Sequence, residues 1–445
     1  MSIALRRALP LICPKLEINH RLHCELCDQG GMEMPRDSMR GVRVIDFTHI
    51  VAGPVCTMTL ADLGADVVKI EPLQGEAGRR IGPPWVNGES VVSLSFNRNK
   101  RSLAVDLKSE AGVSAVRRMV QQADVVVESF RPGVMRRLQL DYESVVSGNS
   151  DVVYCSISAF GQSGSFKDRP GVDGVMQAVS GLMSTLGEPA SDPAKVQIPV
   201  ADMVTGYLAT ISVLSALHQA RDGRGGQHLD VSLFNATLML QQLGYASYFA
   251  TGHDAEKIGS AAPYAAPNEA FPTRDGWIMV AAYDPNRWRT LCELLDAPEV
   301  ATDPRFRSNA DRITNRSSLR DVLGRFFEMR STDEWLEVLS TGDILCAPVT
   351  SYSDVVASPA YRESRIESSF EHPVAGSIRV PGFVLGPSQP PATRPDSPPP
   401  LIGEHSLDVL TEYGFAPEEL TALFKGGTVS RPAEVHPDAD TGRSR

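Results

Sequence analysis

From residue 41 onward, short apolar runs alternate with stretches whose apolar positions recur about every three to four residues. The runs at 42–48 and 66–71 predict two strands. A helix is predicted between them at 52–63, because Gly64 suits the end of a helix. This part of the chain therefore predicts a βαβ unit.

The alternation continues to residue 251. Further strands are predicted at 103–107, 124–130, 151–158 and 227–233, and further helices at 109–123, 203–221 and 235–251. Strands that are rich in Val and Ile and separated by helices are typical of a parallel sheet buried on both faces. We therefore expect an α/β fold with a doubly wound, Rossmann-like large domain.

After Gly252 the pattern changes. A strand at 277–283, three helices and a strand at 344–350 predict a smaller α+β domain, and a proline-rich stretch and a last helix at 417–424 follow. The helices are predicted at 285–295, 311–330 and 332–340. The predicted layout is a large domain that begins with residues 41–232, a linker at 233–262, a small domain at 263–350, and a linker with a return to the large domain at 351–427.

Both ends of the chain lack this periodicity. Residues 1–40 are expected to be a disordered extension, and the polar residues 428–445 a disordered tail. The segment from His20 to Cys27 has residue types that bind zinc, but its spacing is compressed and no second ligand pair follows it. We therefore predict no metal site.

The composition limits the classes of function. The chain has 445 residues, of which 42% are hydrophobic and 22% charged, as in soluble globular proteins. Its net charge of -11 argues against general nucleic-acid binding, although local arginine clusters could still bind phosphates. The cysteines lack a framework spacing, which suggests reduced thiols and a cytoplasmic protein. Since no run of about 18 apolar residues occurs, no membrane association is expected.

Several common enzyme signatures are absent from the sequence, including the Gly-x-Ser-x-Gly elbow, the P-loop and His-Glu-x-x-His. Glu71 ends the second strand where a ribose-binding acid would stand. However, the turn at 48–54 has no Gly-x-Gly-x-x-Gly pattern, so a pyrophosphate could not approach its backbone in the usual way. The sequence therefore disfavours a nicotinamide-dependent enzyme.

Two clusters of positive charge stand near the ends of predicted strands. The segment at 96–102 contains three cations, namely Arg98, Lys100 and Arg101. They could bind phosphates, but composition alone explains them equally well as a solvated basic loop. Three more cations follow the strand at 124–130, at the sheet edge where ligands gather in α/β proteins: Arg131, Arg136 and Arg137. The clusters favour a phosphorylated ligand.

Two acidic residues are candidates for chemistry. Asp202 follows an apolar segment and stands at the start of a predicted helix, while Asp173 lies in a turn. Asp is a preferred residue at both kinds of position, so helix capping and turn formation are the ordinary explanations. From the residues alone, catalysis is the minority hypothesis for each.

Taken together and in order, the motifs over residues 41–427 resemble those of the family III CoA-transferases, the formyl-CoA:oxalate and carnitine CoA-transferase type. Each motif is short, but the ordered set is specific. The motifs are Val44–Phe47, Ala52–Pro54, Leu63–Glu71, Asn97–Ser102, Glu128–Gly133, Asp173–Gly181, Asp202 with Gly206, Gly223–Gly225 and Leu401–His405.

The resemblance implies an enzyme that moves CoA from an acyl-CoA to a carboxylic acid. Asp202 stands where the family has its nucleophile, which forms a mixed anhydride and then an aspartyl-CoA thioester. A helix N-terminus at Asp202 would favour the ionised carboxylate. No metal or permanently bound cofactor is implied, since the CoA thioester is a substrate.

The resemblance also implies the residues that bind CoA. They are Ile50, Val51, Val105 to Lys108, Ser129, Phe130, Arg131, Arg137, and Pro170 to Asp173 with Val172 among them. Three positions depart from the oxalate-type pattern. Val51 replaces a glutamine, Val172 replaces a tyrosine, and the loop at 259–263 replaces a run of glycines. These differences favour an acid other than oxalate.

Two alternatives remain. The family includes α-methylacyl-CoA racemases, which pair the acid at Asp202 with a histidine where this chain has Val172, and a valine cannot transfer protons. A non-catalytic acyl-CoA-binding protein is the other alternative, and the presence of Asp202 speaks against it. The resemblance further implies an intertwined, ring-like homodimer with no nucleic-acid partner.

Overall fold

The computed structural model describes residues 38–383 and 396–431. This part of the chain contains fourteen strands. They are β1 (Arg43–Phe47), β2 (Asp66–Glu71), β3 (Trp85–Val86), β4 (Glu89–Ser90), β5 (Arg101–Val105), β6 (Val125–Glu128), β7 (Val153–Ser158), β8 (Gln227–Ser232), β9 (Asn268–Pro272), β10 (Trp277–Ala281), β11 (Leu345–Pro348), β12 (Glu367–His372), β13 (Gly376–Pro381) and β14 (Val429–Ser430).

The α-helices of the described residues follow in chain order. They are α1 (Ala52–Asp62), α2 (Val91–Phe96), α3 (Glu110–Val120), α4 (Val134–Arg137), α5 (Tyr142–Val146), α6 (Asp173–Val179), α7 (Leu182–Thr185), α8 (Val200–Gln219), α9 (Leu233–Leu240), α10 (Gln242–Thr251), α11 (Pro285–Leu294), α12 (Pro298–Thr302), α13 (Asn309–Thr314), α14 (Arg316–Phe327), α15 (Thr332–Ser340), α16 (Tyr352–Ala357), α17 (Pro359–Ser364), α18 (Ser406–Glu412) and α19 (Pro417–Lys425).

The centre of the molecule is a seven-stranded sheet in the order β14-β5-β2-β1-β6-β7-β8. Six of these strands are parallel, and only β14 runs antiparallel, beside β5. Without β14, the chain order is that of a doubly wound sheet, which reverses direction between β1 and β6. The predicted α/β class with a mainly parallel sheet is confirmed.

Two apolar clusters cover the two faces of this sheet. On one face, α3 packs together with α18 and α19, so that Val116 and Met119 share a cluster with Leu410 and Leu423. On the other face, α1, α8 and α9 pack over β1, β6 and β7. Burial on both faces explains why these strands are continuous runs of Val and Ile.

Helix α8 is central to the second cluster. Within the described residues, the stretch Val200–Arg224 is the one helical segment long and apolar enough to cross a membrane. Its buried residues include Ala209, Val213 and Leu217, which pack in the core beside the sheet.

A separate apolar cluster forms around the antiparallel sheet of β9, β10 and β11 and helices α11–α15. Phe271 stacks on Phe327, and Trp335 meets the edge of that ring, with its indole N–H donating to Phe327 O. After the β12–β13 hairpin, the chain comes back to the large sheet. There, the His405 N–H donates to Ser102 O, and β14 pairs with β5.

The structure corrects three predicted boundaries. The expected extension 1–40 is too long, because Met39 is 4% exposed and its N–H donates to Leu63 O. The expected tail begins too early, because Val429 pairs with Val105. The expected linker 233–262 begins with α9, whose Leu233 and Ala236 are buried. The zinc-like segment from His20 to Cys27 lies outside the described residues.

Helix limits also differ from prediction near the candidate acids. The helix predicted at 203–221 begins earlier, at Val200, so Asp202 lies inside its first turn rather than before it. The helix predicted at 235–251 is broken at Gln241, whose side-chain amide donates to Ser180 O and Thr237 O. Short helices such as α6 could not be predicted, because so few residues show no clear periodicity of apolar positions.

Candidate active site

A cavity of about 380 Å³ opens at the carboxyl edge of the large sheet, beside the reversal point between β1 and β6. Ligands of doubly wound proteins bind at this point, because the connections on either side of it diverge. The lining residues are His49 to Ala52, Ser129, Ile157 to Ala159, Gly171 to Gly174, Lys195, Gln197, Pro199, Asp202 and Leu233. We call it the Asp202 cavity.

The turn between β1 and α1 forms one wall of this cavity and is held from below by Asp46. This buried carboxylate accepts hydrogen bonds from the Thr48 N–H at 2.8 Å and from the Thr57 hydroxyl at 2.8 Å. Lys69 Nζ donates to Thr48 O at 2.8 Å. The turn places Ile50 in the left-handed region at φ 68°, a strained conformation for a β-branched residue. The wall is therefore fixed by polar contacts within the core.

Lys100 belongs to this buried support. Its ammonium donates to Asp46 Oδ2 at 3.1 Å and to Pro54 O at 3.2 Å, and the residue is 2% exposed. Burial and the neighbouring Lys69 lower the pKa of Lys100 to about 8, although Asp46 counteracts them. The prediction that Lys100 binds phosphates is therefore corrected, because it holds the turn from inside.

The other two cations of the 96–102 segment are also paired internally. Arg98 is 3% exposed and binds both oxygens of Asp62, with Nε to Oδ1 at 3.1 Å. Arg101 pairs with Asp66 at 2.7 Å and with Glu412 at 2.8 Å. Neither residue lines the Asp202 cavity. The structure thus assigns the segment to ion pairs of the fold, which corrects its predicted role in binding CoA.

Asp202 projects from the first turn of α8, and Asp173 from the start of α6 holds that turn in place. Asp173 Oδ1 accepts the Ala201 N–H at 2.8 Å, and its Oδ2 accepts the Gln177 side-chain amide at 2.7 Å. Gln177 is fully buried and also exchanges two hydrogen bonds with the backbone of Val196, at 2.9 Å and 3.1 Å. One network therefore fixes Asp202 and the loop that precedes α8.

The two carboxylates of this network affect each other. Burial and the charge of Asp173 raise the pKa of Asp202 to about 7. We expected the helix N-terminus to favour the ionised form, but desolvation and the like charge outweigh it. Near neutral pH, Asp202 therefore exists in both forms, and the ionised form is a nucleophile in a partly dehydrated cavity.

A second groove of about 320 Å³ continues from the Asp202 cavity and shares with it Ser129, Ser158, Ala159, Gly171 and Val172. Its remaining wall carries three cations, Arg131, Lys167 and Arg169. Arg169 lies over the ring of Phe166 at 4.1 Å. A ligand whose acyl group lies at Asp202 could therefore extend along this groove and place its phosphates beside the three cations.

Several predicted residues come together in these two spaces. Ile50, Val51, Val172 and Asp173 surround Asp202, while Ser129, Phe130 and Arg131 line the second groove. Val105 does not take part with its side chain, because it is 1% exposed in the core between β2 and β14. Lys108 and Arg137 are exposed and line neither space. Their role stays a prediction.

Sequence reasoning missed four ionisable residues of the site. His49 and Lys195 line the Asp202 cavity, and Lys167 and Arg169 line the second groove. The run from Lys167 to Arg169 directly precedes the recognised segment at 170–174 and could have been noticed as basic. Lys195 stands in a loop without periodicity, and only the fold brings it to the cavity. Among the described residues, no cluster of His, Cys, Asp or Glu could hold a metal ion.

The geometry can be compared with known proteins. The model of CoA-transferase family III matches residues 39–406, and the chain belongs to that family. Its relatives are named CoA-transferases, so this chain is an enzyme of the CoA-transferase type.

Human succinyl-CoA:glutarate CoA-transferase is 34% identical over 84% of this chain and 85% of the human protein. Acetyl-CoA:oxalate CoA-transferase of Acetobacter aceti is 34% identical over 86% of this chain and 97% of its own length. The crystal structure of a CaiB/BaiF family protein from Brucella suis matches with a TM-score of 0.75 and 32% identity, over 84% of this chain and 99% of that one.

Proposed function

We propose that this enzyme moves CoA from an acyl-CoA to a carboxylic acid through a covalent intermediate at Asp202. The observation that carries the proposal is the position of this carboxylate. It is largely buried at the wall of a cavity that continues into a cation-lined groove, so one acyl-CoA can place its thioester at Asp202 and its phosphates at Arg131, Lys167 and Arg169.

The first half of the reaction loads CoA onto the enzyme. The Asp202 carboxylate attacks the thioester carbonyl, the C–S bond breaks, and the electron pair leaves with sulfur. This gives a mixed anhydride and a CoA thiolate. The thiolate then attacks the aspartyl carbonyl of the anhydride, which releases the donor acid and leaves an aspartyl-CoA thioester.

The second half reverses these events with another acid. The acceptor carboxylate attacks the aspartyl thioester and forms a second anhydride, and the thiolate leaves again. The thiolate attacks the acceptor carbonyl, which yields the new acyl-CoA and restores the Asp202 carboxylate. Protons balance throughout without a separate acid or base. The Asp173–Gln177 network supplies positioning, because it fixes the turn that carries Asp202.

We further propose a dicarboxylic acid as acceptor. The names of related enzymes refer to glutarate, mesaconate and D-citramalate, each with two carboxylates. In this chain Ile50, Val51 and Val172 give the cavity apolar walls, which suit the carbon chain between two carboxylates. Oxalate has no such carbon chain.

We also propose that the enzyme is a homodimer. Helix α10 is rich in apolar residues, yet none of its residues is buried, and Leu243 and Phe249 are 60% and 78% exposed. Helix α9 contacts α10 and also packs against α6 and α8, and these three helices add exposed apolar side chains, namely Val175, Val179, Tyr207, Ile211, Met239 and Leu240. Exposed apolar side chains on several helices that contact one another are typical of an interface, and a second copy of the chain is the proposed partner.

The test of the covalent mechanism is a mass measurement on the intact protein after mixing with succinyl-CoA. We expect an adduct on the wild type and inactivation by hydroxylamine, which traps the activated aspartyl group. Asp202→Ala should lose the adduct and turnover, whereas Asp222→Asn at the far end of the same helical stretch should keep both. Transfer at wild-type rates by Asp202→Ala would overturn the mechanism.

The racemase alternative makes a different prediction. It requires a second base in the cavity, and Val172 cannot serve. His49 lines the cavity, but its Nδ1 faces the buried carboxylate of Glu76 at 3.6 Å. We therefore expect no deuterium at the α-carbon of a branched acyl-CoA incubated in deuterated water without an acceptor acid. Rapid incorporation under these conditions would favour the racemase.

A further inference from the structure

The Asp202 cavity contains a single Lys or Arg among the described residues that line it, and this residue is Lys195. The cavity also contains two carboxylates, Asp173 and Asp202. Lys195 makes no ion pair within the described part of the chain, and its side chain is exposed rather than packed away. An ammonium that lines the same cavity as two acids and forms no ion pair among the described residues is available to an anionic ligand.

The position of Lys195 relative to Asp202 is fixed by the fold. Val196, the next residue, exchanges hydrogen bonds with the Gln177 side chain through its N–H at 2.9 Å and its carbonyl at 3.1 Å. Gln177 also donates to Asp173, which in turn accepts the Ala201 N–H. The backbone of Lys195 and the first turn of α8 are therefore held by the same buried side chains.

The end of the lysine side chain lies close to the start of α6. A Cβ on Gly174 would lie 3.9 Å from both Cδ and Nζ of Lys195, so the end of the lysine passes over the bare backbone of α6. Gly174 itself lines the cavity. The ammonium thus stands at the rim and can reach inward, as a flexible lysine commonly does at anion sites.

We infer that Lys195 binds the distal carboxylate of a dicarboxylic substrate and thereby sets the preference of the enzyme for diacids over monoacids. This inference rests on the proposed function, because the reacting carboxylate is the one that approaches Asp202. A diacid brings two negative charges to a cavity that already holds Asp173 and Asp202. Lys195 offsets the negative charge of the distal carboxylate, which takes no part in the reaction. Ile50, Val51 and Val172 contact the carbons between the two carboxylates.

The test compares two acceptors of equal chain length, glutarate and pentanoate, with succinyl-CoA as donor. In a mechanism with a covalent intermediate, kcat/KM for the acceptor reports the second half-reaction alone, so an effect of the variant on the donor does not disturb it. For Lys195→Met we expect the ratio of kcat/KM for glutarate to that for pentanoate to fall about tenfold or more, as for loss of a charge-assisted hydrogen bond.

A charge reversal sharpens the comparison. Lys195→Glu should reduce the glutarate-to-pentanoate ratio further and should raise the use of 5-aminopentanoate, whose distal ammonium matches the new carboxylate. Lys257→Met is the matched control, because Lys257 lies outside the cavity and donates to Ser191 O, and its ratio should equal that of the wild type. If Lys195 had only a structural role, its replacement would lower kcat/KM for all three acceptors by a similar factor.

The outcomes separate this inference from the proposed function. If the wild type forms the Asp202 adduct but Lys195→Met keeps the wild-type ratio, Lys195 is a solvated surface residue and the inference is wrong while the covalent mechanism stands. If the wild type forms no adduct, the mechanism itself fails. A tenfold fall in the ratio, together with the gain for the amino acid in Lys195→Glu, would support the inference.

Discussion

Asp173 and Asp202 illustrate how two identical side chains take different roles. Asp173 accepts two hydrogen bonds, whereas burial and the charge of Asp173 raise the pKa of Asp202 to about 7. Because only the ionised carboxylate attacks, the rate of adduct formation should rise with pH between about 6 and 8. Rapid-quench mass measurement across this range checks the prediction, and a flat profile would contradict it.

Replacing Asp173 tests what raises the pKa of Asp202. Asp173→Asn removes the like charge but leaves burial, so the pH profile of adduct formation should move to lower pH while staying above the ordinary range of Asp. Asn can still accept the Ala201 N–H, although the bond from Gln177 is lost. Asp222→Asn should leave the profile in place. An unchanged profile for Asp173→Asn would show that burial alone raises the pKa.

The raised pKa of Asp202 also makes the stability of the protein depend on pH, in the opposite direction to that of a salt-bridged acid. The folded protein holds the Asp202 proton more tightly than the unfolded chain does. Its contribution to the free energy of unfolding is therefore present at low pH and is lost as pH rises to about 7. Asp202→Asn should flatten this part of the stability curve, which urea titrations at several pH values would measure.

Lys100 is a structural residue in spite of its place in a basic segment. Lys100→Met removes one of the two ammonium groups near the buried Asp46, so we expect a loss of about 3 kcal/mol in the free energy of unfolding. The exposed Lys108→Met should change stability by less than about 0.5 kcal/mol. Wild-type stability of Lys100→Met combined with a raised KM for acyl-CoA would restore the phosphate-binding hypothesis.

At the scale of elements, the contact between α1 and α8 determines the shape of the cavity. Gly206 lies one turn after Asp202, and a Cβ added there would be 2.6 Å from Ala52 O. Gly206→Ala should therefore separate the two helices, cost about 1–3 kcal/mol and reduce turnover, because Ala52 and Asp202 line the same cavity.

A second helical glycine is the control for this change. Gly324 in α14 has open space around it, so Gly324→Ala should stabilise the protein by about 0.5–1 kcal/mol without an effect on turnover. Thermal unfolding and steady-state kinetics would compare the two variants. Equal behaviour of both would mean that the α1–α8 contact tolerates a methyl group.

Elements of the large sheet could be predicted because their signal is local. The limits of β2 follow from neighbouring residues, and the structure has them as predicted. The partners of charged residues are not local. Asp62 pairs with Arg98 across 36 residues, so a basic segment could not be distinguished from a phosphate site. Lys195 has no signal in the sequence because its role depends on the loop's attachment to Gln177.

At the scale of the whole molecule, the exposed apolar surface around α10 predicts a stable dimer. Phe249→Asp should place a charge in the interface and increase the fraction of monomer, measured by sedimentation velocity over a range of concentrations. Met329→Asp is the control, because Met329 is also exposed, at 70%, but directly follows α14, a helix of the separate apolar cluster around β9–β11. A monomeric wild type would contradict the dimer.

The pairing of β14 with β5 has a consequence for how the protein is made. Seven of the 24 buried residues of one apolar cluster lie in or beside α18, α19 and β14, at the end of the described chain. During synthesis, β5 and one face of the sheet leave the ribosome on the order of tens of seconds before the residues that cover them. For most of its translation, the nascent protein therefore exposes apolar surface on this face of the sheet. Chaperones have a long interval in which to bind that surface.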